Sequence, residues 1–416
     1  MLPLSLSASL PPAKIDVNLD AIDQHECRRL TAEQALTFLG VRAQTLYANV
    51  SRGKIRAKPD PGDSRRSLYN GNDVARLADR RPGRRSAGTV AAQAIGWGDP
   101  VLASAISTVV DGRLWYRGRD AVELSERATL EEVAGLLWQA ETALGRGRLP
   151  PAKSRSSGPG VTPLNRLLAA MSERAAIDPP LRGRSPAVLK SEAQTLFDTL
   201  LAASLGSIGA GADSPAHARI AAAWRKQGAK DILRRTLVLL ADHELNASTF
   251  AVRVAASTGA SLSACLLAGL ATLSGPLHGG AARALQSLLE AARRRGANGA
   301  VREWLGRGEP LPSFGHPLYP EGDPRAAVLM RHIKLSGLFA EVRTAAEDLI
   351  GEPPNVDFAL AALADAYALP REAPFVIFAL SRSVGWIAHA LEQTATGQLI
   401  RPRARYVGPA IAKERS

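Results

Sequence analysis

Cysteine is nearly absent: the sequence holds only Cys27 and Cys265, and neither sits in a metal-type spacing. A disulfide framework is excluded, and two reduced thiols in a cytoplasmic protein are expected. Aromatic residues are also scarce, at 5%, while alanine and leucine are abundant. Neither of these two gains much from a strand, so the bias favours packed helices over sheet. The opening Met1-Leu2-Pro3-Leu4-Ser5-Leu6 has no basic start and no clear h-region. It reads as a frayed terminus and not as a signal peptide. Residues 254–277 lack charge altogether, but Ser257, Thr258, Ser261, Ser263, Thr272 and Ser274 dilute the run, and Gly259, Gly269 and Gly275 interrupt it. Buried helices of a large soluble core are expected there, and no membrane contact.

What is present suits a multi-domain globular chain. The 416 residues exceed one average domain, and apolar residues (46%) and charged residues (22%) stand in ordinary proportion. The net charge is +13, and an excess of nine positive charges falls between Arg28 and Arg85. Such a footprint suits a polyanion, although a solvated basic linker has the same composition.

That basic stretch has helical punctuation. Thr31 with Gln34 forms a capping box, Gly40 suits the left-handed stop, and a second helix runs from about Arg42 to Ser51. Residues 55–58, a Pro/Gly turn and residues 65–69 then read as a two-stranded wing, followed by a helix over 72–79. Helix, helix, wing, helix resembles the MerR/excisionase-type winged helix-turn-helix domain, over residues 29–80. That resemblance implies DNA contacts from Arg42, Gln44, Thr45 and Tyr47 in the groove and from Arg52, Lys54, Arg65 and Arg66 on phosphates. The alternative is a module that only packs on protein. Residues 81–89 are a linker by composition.

Beyond the linker the pattern is mostly helical, with Thr129 and Glu132 forming a second capping box and longer helices expected over 187–205, 220–243 and 252–274. The chemistry collects in short polar clusters. His243 lies in Asp-His-Glu-Leu-Asn-Ala-Ser-Thr (242–249), His278 between Gly275-Pro276 and Gly279-Gly280, and His316 in Gly-His-Pro (315–317). Glycine and proline around a histidine mark close backbone approach. A second His or Cys at zinc-type spacing is missing from all three, so no metal is expected. Arg382 lies four residues after Phe378 on an apolar helix, where a guanidinium needs an anion to meet.

In order along the chain, Asp111-Gly112-Arg113-Leu114-Trp115-Tyr116-Arg117-Gly118, the 242–248 run, the 275–280 loop, Gly315-His316 with Asp323-Pro324-Arg325, Asn355-Val356-Asp357 and Arg401-Pro402-Arg403 resemble the citrate synthase family. The resemblance covers about residues 95–140 and 216–410. It implies a mainly α fold of citrate-synthase-like large and small helical domains behind the winged unit. The synthase body would span 90–416, with the large part at 90–285 and 378–416 and the small part at 286–377. It also implies condensation of acetyl-CoA with oxaloacetate, with Asp357 as base, His278 as donor to the thioester enolate and His316 polarising the ketone. Oxaloacetate would meet His243, Arg325, Arg382 and Arg401, the last from the second subunit of a homodimer, with Asn246 and Phe378 lining the pocket. No cofactor is implied, acetyl-CoA being a co-substrate. Pro317 and Pro320 stand where the family usually has basic residues, and Ala282-Arg283 where it often has Asn-Glu. A 2-methylcitrate synthase, a citryl-CoA lyase, and a DNA-binding regulator that uses the body as a metabolite sensor are the alternatives.

Overall fold

The computed structural model describes residues 29–77 apart from 40, 42, 52–53, 61–62, 72 and 75–76, then 102–140, 160–206, 214–279 and 281–404, with 406 and 408–409. Two compact units divide the chain, residues 1–99 and 100–416.

In the first unit, β1 (Arg29–Leu30), α1 (Ala32–Leu39), α2 (Ala43–Ser51), β2 (Ala57–Asp60) and β3 (Asp63–Asn70) follow one another. The strands form an antiparallel sheet in the order β1-β3-β2. The first capping box is present: Thr31 N donates to Gln34 Oε1 at 2.9 Å and Gln34 N to Thr31 Oγ1 at 3.3 Å. Ala35, Leu39, Leu46, Ile55, Tyr69 and Val74 make its small core. Residues 71, 73, 74 and 77 are helical. Gly40, the remainder of the expected 72–79 helix and the 81–89 linker lie outside the described residues.

The second unit opens with a meander that the helical reading omitted: β4 (Ser107–Val110), β5 (Arg113–Tyr116) and β6 (Arg119–Asp120). Asp111 (φ +50°) and Gly112 (φ +71°) join β4 to β5 in a two-residue turn with both φ positive, the Asp-Gly hairpin signal. The helices are α3 (Ala121–Arg127), α4 (Leu130–Trp138), α5 (Pro163–Ala175), α6 (Pro186–Leu205), α7 (Ala216–Ala223), α8 (Lys230–Leu239), α9 (Ala247–Ser257), α10 (Leu262–Leu273), α11 (Ala281–Arg295), α12 (Ala297–Leu305), α13 (Pro324–Arg331), α14 (Gly337–Ile350), α15 (Val356–Ala366) and α16 (Ala373–Thr396).

Two long helices expected from the sequence are divided. The 220–243 span breaks at Arg225, which has φ +54°, and restarts through a 3-10 turn at Gln227–Ala229. The 252–274 span breaks at Gly259 (φ +81°), after which Ser261 caps α10 by accepting from Ala264 N at 3.2 Å.

Helix α16 is long and apolar enough to cross a membrane, yet it is buried at the centre of the unit's larger core. A smaller core gathers α11, α12 and α14 around Phe314, Phe339 and Phe358. Helix α15 serves both: Val356, Ala359, Leu360 and Leu363 face the larger core, and Phe358 and Ala362 the smaller. This i, i+3, i+4, i+7 spacing leaves Asp357 in the first turn, between the two faces.

Candidate active site

The site is built on the C-terminal end of α8. A helix end leaves carbonyls without intrahelical donors, and here side chains take them. Tyr116 Oη lies 3.1 Å from Val238 O and 3.0 Å from Leu239 O. Ser381 Oγ donates to Leu237 O, and Arg382 Nε donates to Leu240 O at 3.1 Å. Gly385 N donates to Ala241 O at 3.0 Å. The same contacts that cap α8 therefore place Arg382 of α16 beside the 241–246 segment. His243, on that segment, is buried, with Nε2 2.8 Å from Tyr319 Oη.

His316 reaches the same place from another loop. Phe314 pairs with Pro354, Gly315 N donates to Pro353 O at 2.9 Å, and Asn355 N donates to Ser313 O at 2.9 Å. Asn355 also caps α15, its Oδ1 accepting from Asp357 N, while its Nδ2 donates to Gly315 O. One asparagine thus ties the histidine loop to the aspartate helix. The His316 ring stands edge-on to His243, with centroids 5.2 Å apart, and 4.9 Å from the Tyr319 ring. Leu318 N donates to its Nδ1 at 3.1 Å, so the proton of the neutral ring belongs on Nε2.

The cations are held differently. Arg325 forms a bidentate pair with Asp323, at 2.9 and 2.8 Å, and its guanidinium lies 5.3 Å from the Tyr319 centroid. Asp323 also accepts from Val356 N at 3.1 Å, fixing the start of α15. Arg382 has its guanidinium 4.7 Å from the Phe378 ring, and its Nη atoms meet no carboxylate among the described residues. Asp357 likewise has no hydrogen-bond donor to its carboxylate among the described residues. Burial, reinforced by the charge of Asp323, pushes it up to about 6 despite Arg325 and Arg382.

His278 stands on the short loop after α10. A Cβ at Gly279 would lie 2.1 Å from Leu273 O, so the loop closes only with glycine there. His278 Nε2 lies 2.8 Å from Ser248 Oγ, which accepts from Trp386 Nε1 at 3.2 Å and lies 2.8 Å from Asn246 Oδ1. Burial lowers His278 and His316 to about 4, with Arg382 adding to the first and Arg325 to the second. His243 is lowered well below its usual value, by burial first and then by both arginines. All three imidazoles are neutral near pH 7. His278 and Asp357 both sense the charge of Arg382, and His243 and His316 both that of Arg325.

The other expected residues fall as follows. Phe378 is half-buried beneath Arg382, whereas Asn246 is the cap of α9, accepting from Thr249 N at 3.1 Å. Arg401 is exposed and has no hydrogen bond or ion pair among the described residues. In the first unit Thr45, Tyr47, Lys54 and Arg66 are exposed. Arg42 and Arg52 lie outside the described residues, as do the side chains of Gln44 and Arg65. Sequence reasoning passed over Tyr319, Ser248, Asp242 and His389. Their signal was weak: a tyrosine three residues after His316, a serine in the His243 cluster, and a histidine seven residues, two turns, beyond Arg382.

The family model described as citrate synthase, C-terminal domain, matches residues 96–403. Citrate synthase 2 of Bacillus subtilis (strain 168) is 32% identical over 348 residues, covering 74% of this chain and 93% of the relative. A 2-methylcitrate synthase of Shewanella oneidensis is 30% identical over 357 residues, covering 73% of this chain and 92% of the relative. Among solved structures, citrate synthase from Thermotoga maritima MSB8 superposes with a TM-score of 0.62 at 27% identity, over 76% of this chain and 96% of the other. Citrate synthase from Thermoplasma acidophilum, solved as a ternary complex with carboxymethyl coenzyme A and oxaloacetate, shares the fold, with a TM-score of 0.63 at 24% identity over 77% and 97% of the two chains.

Proposed function

Because the chain belongs to the citrate synthase family, we propose that it condenses acetyl-CoA with oxaloacetate, giving citrate and CoA. The observation that carries this reading is Asp357, a carboxylate without a donor among the described residues, raised by burial to about 6 within the field of the buried Arg325 and Arg382. A base of that strength is mostly ionised at pH 7 and still poised to take a proton. In this reading Asp357 removes a methyl proton from acetyl-CoA. With the Ser248 hydroxyl turned from Asn246 Oδ1 to His278 Nε2, the proton of His278 lies on Nδ1 and meets the thioester oxygen as it gains charge. His316 donates from Nε2 to the ketone oxygen of oxaloacetate, so the enolate carbon meets a polarised carbonyl carbon. Both imidazoles act as neutral donors whose dipoles are already oriented. The Nη groups of Arg382 and the remaining edge of Arg325 bind the substrate carboxylates, with His243 beside them. Water then cleaves the thioester, releasing CoA and leaving citrate.

Thiol release from acetyl-CoA in the presence of oxaloacetate tests the reading. Activity in the wild type that vanishes in Asp357→Ala is expected. Oxaloacetate binding with no thiol release from any acyl-CoA would instead make the body a sensor. The Shewanella oneidensis relative is named a 2-methylcitrate synthase, and propionyl-CoA differs by one methylene, about 1–3 kcal/mol of pocket fit. Comparing kcat/KM for the two thioesters separates those activities, and running citryl-CoA backwards tests a lyase.

We further propose that Arg401 completes the site of a second subunit, which its exposure and its lack of a partner among the described residues support. Mixing inactive Arg401→Ala with inactive Asp357→Asn should restore activity if subunits share sites. For the first unit we infer a winged helix-turn-helix that contacts duplex DNA, supported by its positive excess and by exposed Thr45, Tyr47, Lys54 and Arg66. Duplex binding should weaken with salt and disappear in Arg65→Ala/Arg66→Ala; binding indifferent to both would leave a protein-packing module.

A further inference from the structure

One buried ionisable pair is left unused by the condensation scheme. His389 and Asp242 are both fully buried, with His389 Nε2 3.1 Å from Asp242 Oδ2. Ser107 Oγ donates to the same oxygen, and Ser107 Oγ also accepts from Glu244 N at 2.9 Å. Among the described residues the other oxygen, Asp242 Oδ1, has no hydrogen-bond partner, nor does His389 Nδ1. A buried carboxylate with an empty oxygen is costly and is retained only where something compensates it.

Its position shows what it does. Asp242 directly precedes His243, and its backbone N and O both meet Tyr116 Oη, at 3.3 and 3.2 Å. The charge of Arg382 contributes, together with His389, to holding Asp242 ionised against the cost of burial. Among the described residues Arg382 spends only Nε, on Leu240 O. Were the carboxylate free to turn toward Arg382, it would pair with the Nη groups and neutralise the cation that a substrate carboxylate needs. His389 and Ser107 instead anchor Oδ2. Gly385 completes the arrangement, since a Cβ there would lie 2.2 Å from Asp242 Oδ1 and 2.5 Å from Ala241 O.

We propose that His389 is a positioning residue for the keto-acid site, acting through Asp242 to orient His243 and to leave the Arg382 guanidinium free for a substrate carboxylate. As an ionised carboxylate only accepts, His389 Nε2 carries the proton of this bond. Arg382, Gly385, Trp386 and His389 lie three, four and seven residues apart on one face of α16, so a single helix carries the anion site, the space behind it and its anchor. The inference rests on the proposed oxaloacetate site.

The test compares His389→Ala, His389→Met and His389→Gln in the full chain. Glutamine places an amide N–H near the position of Nε2, and methionine fills the volume without a donor. Oxaloacetate KM, acetyl-CoA KM and kcat are measured in steady state, with the oxaloacetate Kd from calorimetry. The alanine and methionine variants should weaken oxaloacetate about 10- to 100-fold in both KM and Kd, leaving acetyl-CoA KM within about twofold. Glutamine should restore oxaloacetate to within about fivefold of the wild type. Unchanged oxaloacetate binding in His389→Met overturns the proposal. So does a parallel loss for both substrates without rescue by glutamine, or failure of all three variants to fold, each of which marks a purely structural residue. If the wild type binds oxaloacetate but releases no thiol, the condensation reading fails, and the Kd series still decides this one.

Discussion

Replacing Asp357 by asparagine should remove activity and strengthen the fold, and both effects follow from one displaced proton equilibrium. The carboxyl is raised from 3.8 to about 6, mainly by burial. At about 1.4 kcal/mol per pH unit, the ionised group costs the folded state about 3 kcal/mol. The sign follows from proton binding. Below 3.8 the carboxyl is neutral whether the chain is folded or unfolded, and nothing is lost. As pH rises, the unfolded chain ionises first, so the penalty grows and is complete above about 6. Asparagine keeps the shape without the charge. Asp357→Asn should therefore melt about 4 °C higher at pH 8 and no higher at pH 4.

Catalysis should move the other way. Loss of a positioned base lowers kcat by about 10²- to 10⁴-fold. In the wild type, kcat/KM should climb about tenfold between pH 5 and pH 7, as the ionised fraction rises through a midpoint of about 6. Thermal melts at the two pH values and a thiol-release assay across pH measure all of this. A melting difference that does not change with pH, or an asparagine variant of near wild-type kcat, would refute the assignment of a desolvated base at this position.

Three other substitutions probe the same cleft. Arg382→Met should raise oxaloacetate KM by about 100-fold, since a charged hydrogen bond is worth about 1.5–3 kcal/mol, while melting at an equal or higher temperature because a buried cation without a carboxylate is gone; an unchanged KM would place the substrate elsewhere. His316→Ala should cut kcat by about 10²- to 10³-fold with a smaller change in acetyl-CoA KM, as expected for a donor to a developing oxyanion, and equal losses in kcat and both KM values would argue against that role. Gly279→Ala should lower kcat and displace the His278 loop, because its Cβ would lie 2.1 Å from the backbone oxygen of Leu273; full activity would mean that this loop does not need its observed path.

The residues that could be read from sequence were those whose surroundings are local. Thr129 and Glu132 form their box within one turn, with Thr129 N donating to Glu132 Oε2 at 2.6 Å, and glycine and proline flank His278 and His316 in the chain itself. The Asp111-Gly112 turn was equally local, yet a short sheet was obscured by the helical bias of the composition. The breaks near Arg225 and Gly259 were hidden for a related reason: apolar, alanine-rich text continues across both, and only packing decides where such a helix stops. Tyr319 and His389 belong to a different class. Tyr319 meets a histidine 76 positions away, and His389 an aspartate 147 positions away, so no window along the chain contains either pair. Even so, one question asked of the sequence would have found the second. An arginine on an apolar helix needs a reason, and so does every polar residue that shares its face. Counting seven from Arg382 along α16 reaches His389, and the fold places it against the carboxylate that would otherwise compete for the same guanidinium.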